Sequence, residues 1–133
     1  MLLKEIKKNN KTLALIIPAK LEKEGTNFFT DKSNPFQVGI LKNKKGVKVK
    51  PHIHKKAKRT INQTQEILYI EQGKVRANFY NEKGKKVKSA ILNPGDTILL
   101  LAGGHGFDLL KDSKILVIKQ GPYQSIKEDK THF

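Results

Sequence analysis

Turn signals recur along this chain so often that only short elements fit between them. Glycine, proline and asparagine mark turns at residues 43–46, 72–73, 81–84, 93–96 and 121–122. Several of the runs between them alternate apolar and polar residues with the period of two that is typical of a strand, others are short aliphatic runs, and none has the periodicity of an amphipathic helix. Eight to ten short strands with frequent turns predict an all-β antiparallel sandwich or barrel.

The alternation also assigns individual strands and faces. We predict strands at Thr12–Pro18, Phe36–Lys42, Val47–His54, Gln63–Gln72, Lys74–Tyr80, Lys86–Leu92, Thr97–Leu101, His105–Leu109 and Ile115–Gln120. Residues 25–35 and 55–62 are interpreted as connections. The strand at 63–72 carries apolar residues on both faces, so we expect both faces to be covered, one of them by a second copy in a homodimer.

The positive charge of the chain requires an interpretation. The 133 residues carry a formal net charge of +15, which comes mostly from scattered lysines. We interpret the lysines as a solvated surface; the alternatives are nucleic-acid binding and the steering of an anionic small molecule. Aromatic residues make up 7% of the chain, too few to favour a platform for base stacking. We therefore expect a small-molecule partner, with an anionic sugar derivative as one candidate, and no nucleic acid.

The longest apolar runs are far too short to span a bilayer. They are Leu13–Ala19 and Ile98–Ala102. The first of them contains Pro18, precedes a charged stretch and lacks a signal-peptide cleavage site. We expect a cytoplasmic protein with no membrane partner.

Three histidines and one glutamate form a candidate metal site. His52 and His54 are two residues apart, so on a strand both side chains project from one face. Glu66 lies on the next predicted strand, and His105 follows a pair of glycines. Because the chain has no cysteine, any metal ligands must be His, Asp or Glu. We predict that these four residues bind one metal ion.

The ligand types restrict the metal and its chemistry. Imidazole and carboxylate together suit Fe, Mn, Ni, Co, Cu or Zn rather than Mg or Ca. Since histidine binds a metal as the neutral imidazole, metal affinity should fall below about pH 6.5. Lys50 is a candidate catalytic residue: it either faces the pocket, where it would bind an anion or transfer a proton, or faces solvent.

These residues resemble the first motif of the cupin superfamily. That motif has glycine, five residues, His-x-His, a short gap, glutamate, six residues and glycine. Gly46, His52, His54, Glu66 and Gly73 match it, with eleven residues between His54 and Glu66 in place of the usual three or four. We interpret residues 55–65 as a loop inserted at the mouth of the fold.

The second cupin motif is recognisable in a degraded form. Gly95, Gly103 and His105 match it, whereas Leu101 and Leu109 stand at its proline and asparagine positions. The resemblance implies a jelly-roll fold that binds a metal inside. It further implies that residues 1–133 form one cupin domain, with motifs at 46–73 and 95–109 and a polar tail at 124–133 that includes His132.

Two further stretches resemble small cupins that are encoded among bacterial cell-surface polysaccharide genes. They are residues 103–107 and 119–123. The resemblance implies action on a small polar substrate such as a sugar or nucleotide sugar, by isomerase, epimerase or oxygenase chemistry. The alternative is a metal-dependent sugar-binding or regulatory module without turnover, because a fold alone does not define a reaction.

Overall fold

A computed structural model describes residues 2–133 and divides them into two compact units. One unit comprises the chain up to Leu21 together with Thr64–Phe133, and the other comprises Glu22–Gln63. We call them the sandwich unit and the insert unit. In order, the elements are β1 Lys4–Lys8, β2 Lys11–Ile17, β3 Gly25–Phe28, β4 Gly39–Lys42, β5 Glu66–Gln72, β6 Val75–Tyr80, β7 Lys86–Leu92, β8 Thr97–Leu100, β9 Gly104–Leu109, β10 Lys114–Lys119 and α1 Ile126–Asp129.

The sandwich unit consists of two antiparallel sheets. The first has five strands in the order β1-β2-β8-β5-β10, and the second has three in the order β7-β6-β9. Both sheets are open, with β1 and β10 as the edge strands of the first and β7 and β9 as those of the second, so the unit does not close into a barrel. The all-β antiparallel prediction is confirmed; 42% of the chain is strand.

The core of the sandwich unit lies between the two sheets. Alternate residues of β5 point inward, and Leu68 and Ile70 are buried there. Phe79 on β6 is the largest of the fully buried side chains, and it packs in the same cluster. Each of these side chains contributes about 1.5–3 kcal/mol by leaving water. The core therefore fixes which faces of β5 and β9 point toward the space between the sheets.

Two strands were missed by the sequence pattern. β1 has one buried residue, Ile6, among four charged ones, so it shows no apolar alternation. It pairs with β2 through a tight turn in which Asn9 and Asn10 both adopt positive φ, a conformation that asparagine tolerates. β3 lies in the predicted connection at 25–35 and pairs with β4.

The predicted strand from Val47 through His54 is wrong. Residues 43–65 form no regular element, and residues 43–64 are exposed. Val47 and Val49 are 59% and 62% exposed. The apolar residues of this alternating stretch are therefore not buried against any other part of the unit. Eight Lys and Arg and no Asp or Glu lie within residues 43–65, and like charges at this density oppose strand pairing.

The helix content is 3%, all of it in the four residues of α1. Within residues 2–133, no helix has the length and apolar character needed to cross a membrane.

Candidate functional site

Glu66 and His105 line one cleft of the sandwich unit. Glu66 begins β5 on the face that carries Leu68, and Leu68 also lines the cleft. His105 lies on β9 directly opposite Phe79 of β6, whose side chain points into the core. Glu66 and His105 thus lie on the same strand faces as the core residues Leu68 and Phe79, where Glu66 is partly buried and His105 is exposed at the cleft. The cleft has a volume of about 530 Å³.

The start of β5 is held in place by two glutamines. Gln65 is 1% exposed, and its backbone N–H donates to Oε1 of Gln120 at 2.8 Å. Because Gln65 immediately precedes Glu66, this hydrogen bond fixes the backbone from which the Glu66 side chain projects. The contact spans 55 residues of sequence.

The cleft lowers the pKa of His105 below its ordinary value of 6.5. Partial desolvation by the surrounding protein is the main cause, because it disfavours the charged imidazolium. The carboxylate of Glu66 opposes this shift, and the ammonium of Lys130 adds to it. His105 is therefore neutral at pH 7 and has a ring nitrogen lone pair available to bind a cation.

This pKa shift gives a stability prediction. Between the lowered pKa of the folded state and the value near 6.5 of the unfolded chain, the unfolded state binds the extra proton. In metal-free protein, the His105 contribution to the free energy of unfolding should therefore be complete above pH 6.5 and decrease as the pH falls through that value. Urea unfolding of wild type and His105→Gln across this range measures it. Parallel pH profiles for the two proteins would contradict the assignment.

His52 and His54 lie close to each other in the insert unit. Their ring centroids are 5.1 Å apart with an interplanar angle of 75°. Nδ1 of His52 is 2.8 Å from the backbone oxygen of Lys50, so Nδ1 carries the proton and Nε2 is left free as a ligand. Both histidines and Lys50 are exposed.

The four predicted ligands are thus present as two pairs, one in each unit. Their donor types fit a transition metal ion. Among residues 2–133, no group of three or more His, Asp or Glu side chains is gathered closely enough to hold a metal.

A second cleft of the sandwich unit, of about 610 Å³, is larger but chemically poorer. It is lined by residues of β1 and β2 and of the turn at 93–96, including Asp96. Asp96 is already engaged, because its carboxylate accepts from the backbone N–H groups of Ala19 and Asn93 at 2.9 and 2.8 Å. The cleft of Glu66 and His105 is therefore the better candidate site.

The chain end also contributes to the cleft of Glu66 and His105. Residues 129–133, including His132, line it, although the sequence pattern indicates only a polar tail. Asp129 accepts from Lys119, and the ring of Phe133 packs on Tyr80. No local sequence signal marks these contacts, because each joins the tail to a distant strand.

Comparison of the chain with family models, with curated proteins and with solved structures gives no match. The fold and the cleft are accordingly the basis for assigning a function.

Proposed function

We propose that this chain is a metal-binding cupin that acts on a small polar substrate in the cytoplasm. The substrate class is a sugar or nucleotide sugar of cell-surface polysaccharide synthesis. One observation carries the proposal: Glu66 and His105, 39 positions apart in sequence, line a single cleft between two antiparallel sheets. A jelly-roll arrangement of these sheets is supported by the pairing of strands that are distant in sequence, namely β2 with β8 and β5 with β10.

His52, His54, Glu66 and His105 are the residues that would hold the metal. When bound, the ion would polarise a substrate carbonyl or hydroxyl. Neutral His105 and the carboxylate of Glu66 provide donors without prior loss of a proton from the imidazole. Lys50 would bind an anionic group of the substrate or transfer a proton.

The metal content and the turnover of candidate substrates test this proposal. Elemental analysis of protein purified without chelator should detect a first-row transition metal bound near one equivalent, and His52→Ala should reduce it. Metal-loaded wild type should then convert at least one member of a panel of sugar nucleotides, and His52→Ala should not. Metal binding with no conversion across the panel would instead favour the non-catalytic sugar-binding or regulatory module.

We also propose that the protein is a homodimer. The support comes from the outer face of the five-stranded sheet, where Tyr69, Leu116 and Ile118 are 39–49% exposed. Tyr69 is directly opposite Leu116, and β10 is an edge strand. Light scattering of the purified protein should give twice the monomer mass, and Leu116→Lys should give the monomer mass. A monomeric wild type at high concentration would remove this part of the proposal.

A further inference from the structure

The C-terminal segment lines the cleft without being part of the core. Asp129, Lys130, Thr131, His132 and Phe133 all line it. The turn that leads there is the single-turn helix α1, in which Ser125 Oγ accepts from the backbone N–H of Glu128 at 3.2 Å. This helix buries no residue, and Phe133 is 74% exposed. The segment therefore covers the cleft from outside.

An ion pair joins this segment to β10. Nζ of Lys119 lies 2.9 Å from Oδ2 of Asp129, and the two side chains are 22% and 17% exposed. Every other ion pair between described residues has at least one side chain that is 44% or more exposed. The hydrogen bond that Lys119 donates to Asp129 raises the pKa of Lys119, and the ring of Tyr123 lies 4.9 Å from the ammonium. Lys119 is thus a fixed, half-buried cation.

Lys119 faces the same side of the sheet as the residues of the candidate site. It is directly opposite Glu66 in the β5–β10 pairing, and cross-strand partners share a face. It is also two residues beyond Val117, which lines the cleft. If Asp129 moves away, the ammonium of Lys119 remains at the edge of the cleft without its partner. Another anion can then form the ion pair in place of Asp129.

The other anchor of the segment is an aromatic contact. The rings of Phe133 and Tyr80 meet edge to face, with centroids 5.1 Å apart. Gly104 makes room for this ring: a Cβ at position 104 would lie 2.7 Å from Cζ of Phe133. Among the described residues, the segment is anchored by an ion pair and by an exposed ring rather than by buried side chains, so it can be displaced without unfolding the sandwich unit.

We propose that Lys119 is the anion-binding residue of the cleft and that Asp129 is its built-in competitor. A ligand with a carboxylate or phosphate group takes the place of Asp129 on Lys119 and displaces residues 129–133 from the cleft. This inference rests on the proposed function only in taking the cleft as the place where the substrate binds.

Inorganic phosphate, added to protein kept metal-free with chelator, tests the proposal. The affinity is measured by calorimetry, and displacement is followed through the backbone amide signals of Thr131 and His132. Lys119→Gln should weaken phosphate binding about tenfold, because a charged hydrogen bond is lost. Asp129→Asn should strengthen it about fivefold, because the competitor loses its charge. In wild type, the two amide signals should move to free-chain positions as phosphate saturates.

Two matched controls separate this site from the general positive charge of the protein. Lys114→Gln removes a lysine at the other end of β10, which pairs with Glu71 at the same distance of 2.9 Å. It should leave phosphate affinity unchanged. Gly104→Ala should release Phe133 and strengthen binding without any change of charge. Gly106→Ala, on the same face of β9 with its nearest contact at 3.9 Å, should not.

Equal effects of Lys119→Gln and Lys114→Gln would overturn the proposal, since phosphate would then be bound by surface charge. Tail signals that stay in place at saturating phosphate would overturn it as well. Neither result bears on metal binding or turnover, because the assay contains no metal and no substrate.

Discussion

Replacement of His105 by alanine is expected to lower the affinity of the protein for Co²⁺ by about 100-fold. Removal of a residue that only hydrogen-bonds to a metal ligand can already reduce metal affinity by this amount, and here the ligand itself is removed. His105 is neutral at pH 7 and lines the cleft with Glu66, so its removal deletes a donor that needs no deprotonation. Calorimetry gives the affinity. The visible absorption of bound Co²⁺ reports on its ligand geometry independently of any catalytic activity.

The chain supplies its own control for this measurement. It has four histidines, and His132 is the one outside the predicted ligand set. His132 lines the same cleft as His105, so His132→Ala makes an equivalent deletion in the same surroundings. Co²⁺ affinity should be nearly unchanged in this variant. An equal loss of Co²⁺ affinity in His105→Ala and His132→Ala would mean that the metal ligands include His132.

The other three proposed ligands are tested by the same titration. His52→Ala and His54→Ala should each match His105→Ala if one ion is bound by both pairs. Glu66→Gln keeps the size of the side chain and removes its charge, and it should also weaken binding. If only the two variants of the insert unit lost affinity, the metal would belong to the exposed histidine pair, and the cleft would have another use.

The strands that the sequence predicted best are those in which alternation coincides with clear turns. β7 has the predicted bounds, Lys86–Leu92, because the turn at 81–84 precedes it and the turn at 93–96 follows it. β6 alternates in the same way, whereas β8 and β10 were predicted as short aliphatic runs beside turns; all three lie within one residue of the predicted bounds at each end. In such strands the local pattern and the tertiary packing agree, which is why one predicts the other.

Prediction failed where alternation and packing disagree. Residues 47–54 alternate valine with lysine and then histidine with isoleucine, yet they lie outside any strand. A strand requires a partner edge as well as a pattern, and the surrounding lysines are not neutralised by nearby acids. β1 is the converse: its pairing with β2 makes it a strand despite four charged residues out of five.

The same reasoning distinguishes the cleft of Glu66 and His105 from the contact between Lys119 and Asp129. The shared cleft of Glu66 and His105 could be predicted, because Glu66 shares a strand face with Leu68 and Ile70, and His105 shares one with Phe107. The contact of Lys119 with Asp129 could not, since nothing in residues 124–133 indicates where they dock. Tails without a pattern acquire their position only from the folded surface they meet.

The glycine at the end of the first motif is expected to give a large stability effect. Gly73→Ala should lower the free energy of unfolding by about 3 kcal/mol, which combines backbone strain with overpacking. Gly73 has φ of 97°, and it turns the chain from β5 in one sheet into β6 in the other. A Cβ there would lie 2.5 Å from the backbone oxygen of Asp112 and closer still to Oγ of Ser113.

The neighbours of Gly73 have no easy way to move. Oγ of Ser113 accepts from the backbone N–H of Lys74 at 3.3 Å and donates to the backbone oxygen of Lys111 at 2.8 Å. A shift of the turn would instead disturb Ile70 and Val75, both of which are completely buried. Relief of the clash therefore requires either a rearrangement of the core or the loss of a hydrogen bond. Each of these lowers the free energy of unfolding.

Gly84→Ala is the matched comparison for this effect. Gly84 also has positive φ, 79°, in the hairpin of the same unit, but a Cβ there meets only the exposed ring of Phe133 at 3.2 Å. Its cost should be near 1 kcal/mol, the part that comes from backbone strain alone. Urea unfolding of the two variants measures the difference. Equal losses would mean that strain accounts for the whole effect and that the Ser113 turn yields freely.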